Sequence, residues 1–271
     1  TQEKSINPNE INLLIGNSQE NKPIYIPEKS LYQNMLITGG IGTGKTASAM
    51  YPFTKQLIKY KCDNPKEKLG FLILDVKGNY YSKVREFAEE YNRQKDVIVI
   101  ELSGKYTYNP LDKPNLKASI LANRIKTILL LFSPNNSESY WLDKSEQVIE
   151  NFITFCRMYN NGYVTFEELH KLITDKKYYL EKIHEVRKVF LSGVLSYSDI
   201  YDLLSCIRFI EKDFYSLDDR TFNILKSEIT RITNCFVSDY EVLKTFCPTK
   251  QKENFYGFED TIENGKIVDI C

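Results

Sequence analysis

Four of the twelve glycines of this chain lie within six residues, in the segment "LITGGIGTGKTASAM" at positions 36–50. Glycine loses more backbone freedom on folding than any other residue, so a cluster of this kind indicates a main chain that side chains must not crowd. Lys45 and Thr46 follow the cluster directly. The segment therefore predicts a tight turn that leads into a helix and lets another molecule approach its backbone.

The spacing of Gly39, Gly44, Lys45 and Thr46 fits the phosphate-binding pattern G-x-x-x-x-G-K-[ST]. In that pattern, N–H groups of the loop and of the helix N-terminus bind polyphosphate oxygens. We expect Lys45 to contact the β- and γ-phosphates and the Thr46 hydroxyl to ligate Mg²⁺, so these two are the catalytic candidates. The predicted nucleotide-binding residues of the loop are Gly39, Gly40, Gly42, Thr43, Gly44, Lys45, Thr46 and Ala47. The alternative is a glycine-rich turn with a solvated lysine.

The nucleotide is predicted to be ATP. Guanine-specific proteins with this loop usually carry an N-K-x-D segment after a later strand, and the sequence contains none.

Apolar runs and helical periodicity alternate around the loop. Strands are expected at 22–27, 34–40, 71–74, 96–102 and within 263–271, with the run at 71–74 covered on both faces. Helices are expected from about 44 to 60, with a kink at Pro52, and in the segment "YSKVREFAEEYNRQ". This order predicts an α/β fold with a mainly parallel sheet.

A second candidate residue follows the strand at 71–74. Asp75 stands at its carboxyl end, where open α/β sheets place groups that face a ligand, and it is predicted to line the nucleotide site. Capping of a turn is the alternative for Asp75, and Lys77 is expected at the surface. No Asp-Glu pair follows an apolar run: Asp75 and Glu101 have no acidic neighbour, and Asp269 lies two residues from the last position. We therefore expect the group that positions the attacking water to be missing.

Helical patterns dominate the middle of the chain. After "YNPLDKP" at 108–114 the periodicity is helical, with Trp141, Val148, Phe152 and Phe155 on one helix face and Thr165 as a predicted N-cap. The prediction is a nucleotide-binding domain formed by 1–114 and 239–271 and interrupted by an inserted all-α domain, 115–238. The six cysteines form no CxxC pair and are expected to be buried, reduced thiols.

The amino-acid composition limits the kinds of partner that this chain can bind. Lys+Arg and Asp+Glu both number 36, which excludes a uniformly basic nucleic-acid-binding surface but leaves a local basic channel open. No apolar run reaches the ~18 residues of a membrane span, and no signal peptide is visible, so we expect a cytoplasmic chain. Because the first residue is Thr, we expect a piece of a longer protein.

Three segments in order, "GGIGTGKT", "LDVKG" and "YNPLD", resemble the coupling ATPases of conjugation and type IV secretion. These are the TraG/TraD-like proteins, relatives of FtsK and RecA-like DNA motors. The segments "SYWLDKSEQVIENFI", "DDRTFNILKSEITRI" and "GFEDTIENGKIVDI" are also similar to stretches of that family, so the resemblance covers most of residues 32–271.

The resemblance implies a RecA-like P-loop domain interrupted by an all-α domain. It also implies a hexameric ring at the cytosolic face of the bacterial inner membrane, and partners among relaxosome, cargo and secretion-channel proteins. The matching positions are Gly39, Gly44, Lys45, Thr46 and Asp75. The membrane-spanning helices and the Walker B strand of the family are not found, so we expect negligible hydrolysis by this chain alone.

The leading hypothesis is thus a motor subunit that couples ATP hydrolysis to the transfer of DNA or protein. A second hypothesis is a non-catalytic, nucleotide-regulated recognition module that binds cargo protein or single-stranded DNA. The segment "TDKKYYLEKIHEVRKVF", which mixes lysines with Tyr178 and Tyr179, is its candidate surface, with a solvated helix face as the alternative. An unrelated P-loop kinase is a third hypothesis.

Overall fold

A computed structural model describes residues 9–132 and 139–271 of the chain. The chain divides into two compact units. Unit 1 comprises residues 1–101 together with Gly257–Cys271, and unit 2 comprises Leu102–Tyr256. The predicted divisions at 114 and 238 both fall inside unit 2.

Unit 1 contains strands and helices in alternation. Its elements are β1 (Asn12–Asn17), β2 (Pro23–Pro27), α1 (Glu28–Leu31), a π-helical turn (Thr46–Met50), α2 (Tyr51–Lys59), β3 (Phe71–Leu74), α3 (Tyr80–Glu90), β4 (Val97–Ile100), α11 (Glu259–Glu263) and β5 (Ile267–Ile270). The predicted strands at 22–27, 71–74, 96–102 and 263–271 and both predicted helices are confirmed, with shifts of a few residues at the ends.

The main sheet of unit 1 is parallel, as expected for an α/β fold. Its order is β3-β5-β4, so the last strand of the chain lies between the two earlier ones. On one face Ile267 packs against Ile58 of α2 and against Tyr80 and Val84 of α3. A separate antiparallel pair, β1 and β2, joins α2 through hydrogen bonds of the Gln56 amide to the backbone of β1.

Two strand predictions are wrong. Residues 34–40 form no strand, and Leu36 is 86% exposed. An apolar run becomes a strand only when a neighbour takes up its backbone groups, and among the described strands β3, at the edge of its sheet, pairs with β5 alone. The run at 71–74 is a strand but is not covered on both faces, since Leu72 and Leu74 are 41% and 69% exposed.

A buried ionic cluster fixes the amino ends of the three parallel strands. Arg93, 1% exposed, donates to Asp96 and to the carbonyls of Leu69 and Gly265, which stand just before β3 and β5. Lys68 and Lys266 also contact the Asp96 carboxylate, at 2.6 and 3.0 Å. Burial alone would raise the pKa of Asp96, but the hydrogen bonds from these three cations hold it below its usual value.

Unit 2 is built from helices. They are α4 (Ala118–Phe132), α5 (Ser139–Tyr159), α6 (Phe166–Thr174), α7 (Lys176–Leu191), α8 (Tyr197–Phe209), a π-helical turn (Ile210–Phe214), α9 (Asp219–Val237) and α10 (Tyr240–Phe246). The predicted face of α5 is confirmed, with Val148, Phe152 and Phe155 buried and Trp141 packed beside them. Thr165 caps α6 as predicted, accepting from the Glu168 N–H at 3.2 Å.

The two chain segments that begin and end unit 2 run side by side. Tyr108 and Phe255 form a parallel bridge. Asn109, fully buried in the "YNPLD" segment, donates through its amide to the Val164 carbonyl and accepts from the Leu111 N–H. This segment therefore serves as a buried polar anchor of the helical unit.

The cysteine prediction holds in part. All six are free thiols, and Cys156, Cys206 and Cys247 are buried. Cys235, in α9, is exposed, contrary to the prediction. Over residues 9–132 and 139–271, no helix combines the length and apolar character that crossing a membrane requires.

Candidate functional site

The glycine-rich loop is an open turn at the start of a helix. Gly42 and Gly44 have φ angles of +79° and +82°, a region in which any other residue would be strained. A Cβ atom added at Gly39 would lie 2.8 Å from the Thr43 hydroxyl, whereas one at Gly42 would meet nothing within 4 Å. The glycines thus serve the turn geometry at three positions, and the loop is not collapsed against a core.

The lysine of the motif lies over its own loop. The Lys45 ammonium donates to the carbonyls of Gly39 and Gly40, both at 2.8 Å. Thr43 closes the turn through its hydroxyl, which donates to the Gly40 carbonyl at 2.8 Å. The contacts of Lys45 are exposed carbonyl oxygens, which an anionic ligand can replace.

The helix after the loop starts with a π-helical turn, Thr46–Met50, and continues as α2. The helix is loosened just before Pro52, where we expected a kink: proline has no N–H to donate, and the wider π-helical turn ends two residues before it. Thr46 and Ala47 are exposed at the helix start. The first N–H groups of a helix have no partner in a preceding turn, so they are available to an anion.

Asp75 holds the start of α3. Its carboxylate accepts from the N–H groups of Tyr80, at 2.5 Å, and Lys77, at 3.2 Å. This is the capping role that the sequence left as the alternative, while a role toward the nucleotide stays a prediction. Lys77 is exposed, as expected.

Tyr80 connects the Asp75 turn to the helix that follows the glycine-rich loop. Its hydroxyl lies 2.8 Å from the Thr54 hydroxyl of α2, and its ring lies 5.0 Å from that of Tyr51. Tyr51 stands five residues after Thr46 in the same continuous helix. The loop helix and the Asp75 turn are therefore packed together within unit 1.

Sequence reasoning set aside Asp269, which the structure places in the central strand of the sheet. Asp269 is fully buried in β5, opposite Ile73 and Val99 in the neighbouring strands. Neither carboxyl oxygen has a hydrogen-bond partner among the described residues. Burial, with a smaller contribution from the Asp75 charge, raises the pKa of Asp269 from 3.8 to about 6. The signal in the sequence was a charged residue inside the apolar run "KIVDIC".

The predicted aromatic-basic surface of α7 is not available as an array of exposed rings. Tyr179 is fully buried, and the Tyr178 hydroxyl donates to the Glu168 carboxylate at 2.9 Å. Both rings pack in or against the hydrophobic core of unit 2, because they lie on the face of α7 that contacts this core. Lys176, Lys177 and Lys188 of this helix are exposed, whereas Lys182 is half-buried and lies over the rings of Tyr159 and Tyr178.

No group of three or more His, Cys, Asp or Glu side chains suited to a metal ion occurs in the described parts of the chain, 9–132 and 139–271. The predicted Mg²⁺ site does not need one, because Mg²⁺ with nucleotides usually takes one or two carboxylates plus phosphates and waters. Comparisons of the chain with protein-family models and with curated proteins gave no match.

Proposed function

We propose that this chain binds Mg²⁺–ATP through the loop at residues 39–47. The observation that carries the proposal is the loop geometry: an open turn with positive φ at Gly42 and Gly44, an ammonium over its mouth, and an exposed helix N-terminus. Each of these features favours a polyphosphate anion.

In this proposal each residue has a distinct task. Lys45 exchanges its two carbonyl contacts for β- and γ-phosphate oxygens and supplies positive charge where negative charge develops. The loop N–H groups would hold the phosphates in position, and the Thr46 hydroxyl would be a ligand of the metal. When bound, Mg²⁺ neutralises phosphate charge. The opposing arginine that such sites use would come from another subunit, and nothing in the chain selects one.

We further propose a RecA-like motor subunit of the coupling-ATPase type, working as a hexamer to pass DNA or protein substrates into a secretion channel. Two observations support it. The three motif segments occur in the family's order. A helical unit, Leu102–Tyr256, separates the two chain segments that form the parallel sheet. An inserted all-α domain in a RecA-like domain has that organisation.

The second candidate is a non-catalytic recognition module whose helical unit binds cargo protein or single-stranded DNA. The burial of Tyr179 removes a stacking ring from its proposed DNA surface, so a protein cargo becomes the better alternative. A salt-dependent affinity for single-stranded DNA that falls when the α7 lysines are neutralised would favour the DNA version.

The proposed site is tested by Lys45→Ala in titration calorimetry with ATP and MgCl₂. We expect the variant to lose most of its affinity, at least about tenfold, because the loop would keep its shape but lose its cation. Lys77→Ala is the matched control, since it removes an exposed lysine of the same unit and should bind as the parent chain does. Undiminished binding by the Lys45 variant would refute the site.

A further inference from the structure

Carboxyl groups at the two ends of the parallel sheet have opposite surroundings. At the amino end, Asp96 is contacted by Arg93, Lys68 and Lys266. At the carboxyl end, Asp75 has only backbone N–H partners, and Asp269 has no hydrogen-bond partner at all among the described residues. A buried carboxyl group without a hydrogen-bond partner costs free energy. The carboxyl end of the sheet therefore lacks the cations that neutralise the carboxylate at the amino end.

The direction of the Asp269 side chain follows from the strand. Residues two apart in a strand share a face, so Asp269 lies on the side of Ile267, which packs against Tyr80 at the start of α3. Asp75 accepts from the N–H of that same Tyr80, and its own N–H donates to the carbonyl of Ile270, the neighbour of Asp269, at 2.8 Å. The two carboxyl groups therefore face one region at the carboxyl end of β3 and β5.

That region adjoins the helix of the glycine-rich loop. Tyr80, which lies between the acids and α2, contacts both Tyr51 and Thr54 of that helix. In open α/β sheets, ligands bind outside the carboxyl ends of the strands. Asp269 thus lies toward the end of the sheet at which the proposed nucleotide would bring its cation, and both of its buried carboxyl oxygens are without a partner among the described residues.

We propose that Asp269, assisted by Asp75, is a positioning residue for the hydrated Mg²⁺ of the bound nucleotide. This inference rests on the proposed function. Mg²⁺ keeps several of its waters, and one or two carboxylates that accept from them complete its site. Each Asp75 oxygen already accepts a hydrogen bond from a backbone N–H, whereas both Asp269 oxygens have no partner among the described residues. Asp269 therefore supplies the acceptors for the waters of Mg²⁺.

The test measures the affinity of ADP in titration calorimetry, once with MgCl₂ and once with EDTA, for the parent chain and for Asp269→Asn. The quantity compared is the ratio of the two affinities, which isolates the contribution of the metal. We expect the parent chain to bind ADP more tightly with Mg²⁺ and the variant to lose about 10- to 100-fold of that gain, as outer-shell partners of metals do. Asp260→Asn, at an exposed position of α11 in the same unit, is the matched control and should keep the gain.

A second measurement uses the parent chain alone, so it does not depend on the folding of a variant. Mn²⁺ with ADP should broaden the amide resonances of Val76 and Ile270, at the carboxyl end of the sheet, before that of Lys266 at the amino end. Equal broadening at both ends would overturn the inference.

The outcomes separate the inference from the proposed function. A variant that keeps the full gain from Mg²⁺, or a parent chain that binds ADP equally with and without Mg²⁺, overturns the role of Asp269 and leaves nucleotide binding standing. A parent chain that binds no nucleotide under either condition overturns both. Loss of the gain in Asp269→Asn, with unchanged affinity in EDTA, supports both.

Discussion

Replacement of Asp269 by Asn should stabilise the metal-free chain, and the gain should depend on pH. Asp269 is fully buried, and its pKa is raised from 3.8 to about 6 by burial and by Asp75. The folded state therefore holds the Asp269 proton more tightly than the unfolded state does. Below pH 3.8 the carboxyl is neutral in both states and costs nothing extra. Above pH 6 the folded state must bury a charge, so stability is lost as pH rises through this window.

The size of the effect follows from the two pKa values. A rise from 3.8 to about 6 is roughly two units, and each unit corresponds to ~1.4 kcal/mol, so the full penalty is about 3 kcal/mol. The amide of Asn is nearly isosteric with a protonated carboxyl, and both are neutral. We therefore expect Asp269→Asn to be near neutral at pH 4 and to raise the free energy of unfolding by about 3 kcal/mol at pH 8.

The assay is urea unfolding in EDTA at several pH values between 4 and 8, followed by far-ultraviolet circular dichroism. The single tryptophan, Trp141, lies in α5 of unit 2 and gives a separate fluorescence signal from that unit. Comparison of the two signals shows whether the gain belongs to unit 1, which contains Asp269.

Asp96→Asn is the contrasting control. Its carboxylate contacts three cations and has a lowered pKa, so its contribution to stability is present above pH 3.8 and is lost as pH falls through the folded value. We expect this variant to be destabilised by about 3 kcal/mol at pH 8, because the buried Arg93 keeps its carbonyl partners but loses the carboxylate that neutralises its charge. A pH-independent effect of Asp269→Asn, or destabilisation at pH 8, would show that the Asp269 charge has a partner and would refute the reasoning.

Two further substitutions test the packing of each unit. Gly70→Ala should destabilise unit 1 by about 3 kcal/mol or more in urea unfolding, because an added Cβ would lie 1.9 Å from the Ile262 carbonyl oxygen and backbone must move; an effect below ~1 kcal/mol would contradict this close approach. Asn109→Ala should lower the free energy of unfolding of unit 2 by about 2–4 kcal/mol, because two buried backbone groups lose their partners. The urea midpoint of the Trp141 fluorescence transition should fall accordingly, and an unchanged midpoint would contradict the role of Asn109 as an anchor.

Much of the fold was predictable because its signals are local. The alternation of apolar strands with amphipathic helices, the cap at Thr165 and the buried face of α5 depend on residues close in sequence. Strand pairing does not. The sequence of residues 34–40 does not show whether a neighbouring strand can pair with them. The sequence of 267–270 likewise does not show that this strand lies between β3 and β4.

The candidate site also has one part that local sequence predicts and one part that depends on strand pairing. The glycine-rich loop and its lysine form one contiguous segment, so the sequence predicts their arrangement directly. The proposed contribution of Asp269 comes from a residue 223 positions after Thr46 in the sequence, and only the sheet order brings it beside Asp75. An adjacent pair of acidic residues is a local sequence signal, whereas these two carboxyl groups come from distant segments, Asp75 directly after β3 and Asp269 within β5.

The sheet combines a stabilised end with a strained end, and this arrangement bears on how nucleotide binding would act on the chain. The cluster around Asp96 is saturated with hydrogen bonds, so a cation at that end would gain nothing. At the other end a cation that satisfied Asp269 would remove a penalty of about 3 kcal/mol at neutral pH. Binding of metal and nucleotide would then stabilise unit 1 by more than their own contacts provide, since ligands that bind only the folded state add to its stability. The stabilisation by Mg²⁺–ADP should accordingly be larger at pH 8 than at pH 5 in the parent chain, and this difference should be smaller in Asp269→Asn, where only the titration of the ADP phosphate remains.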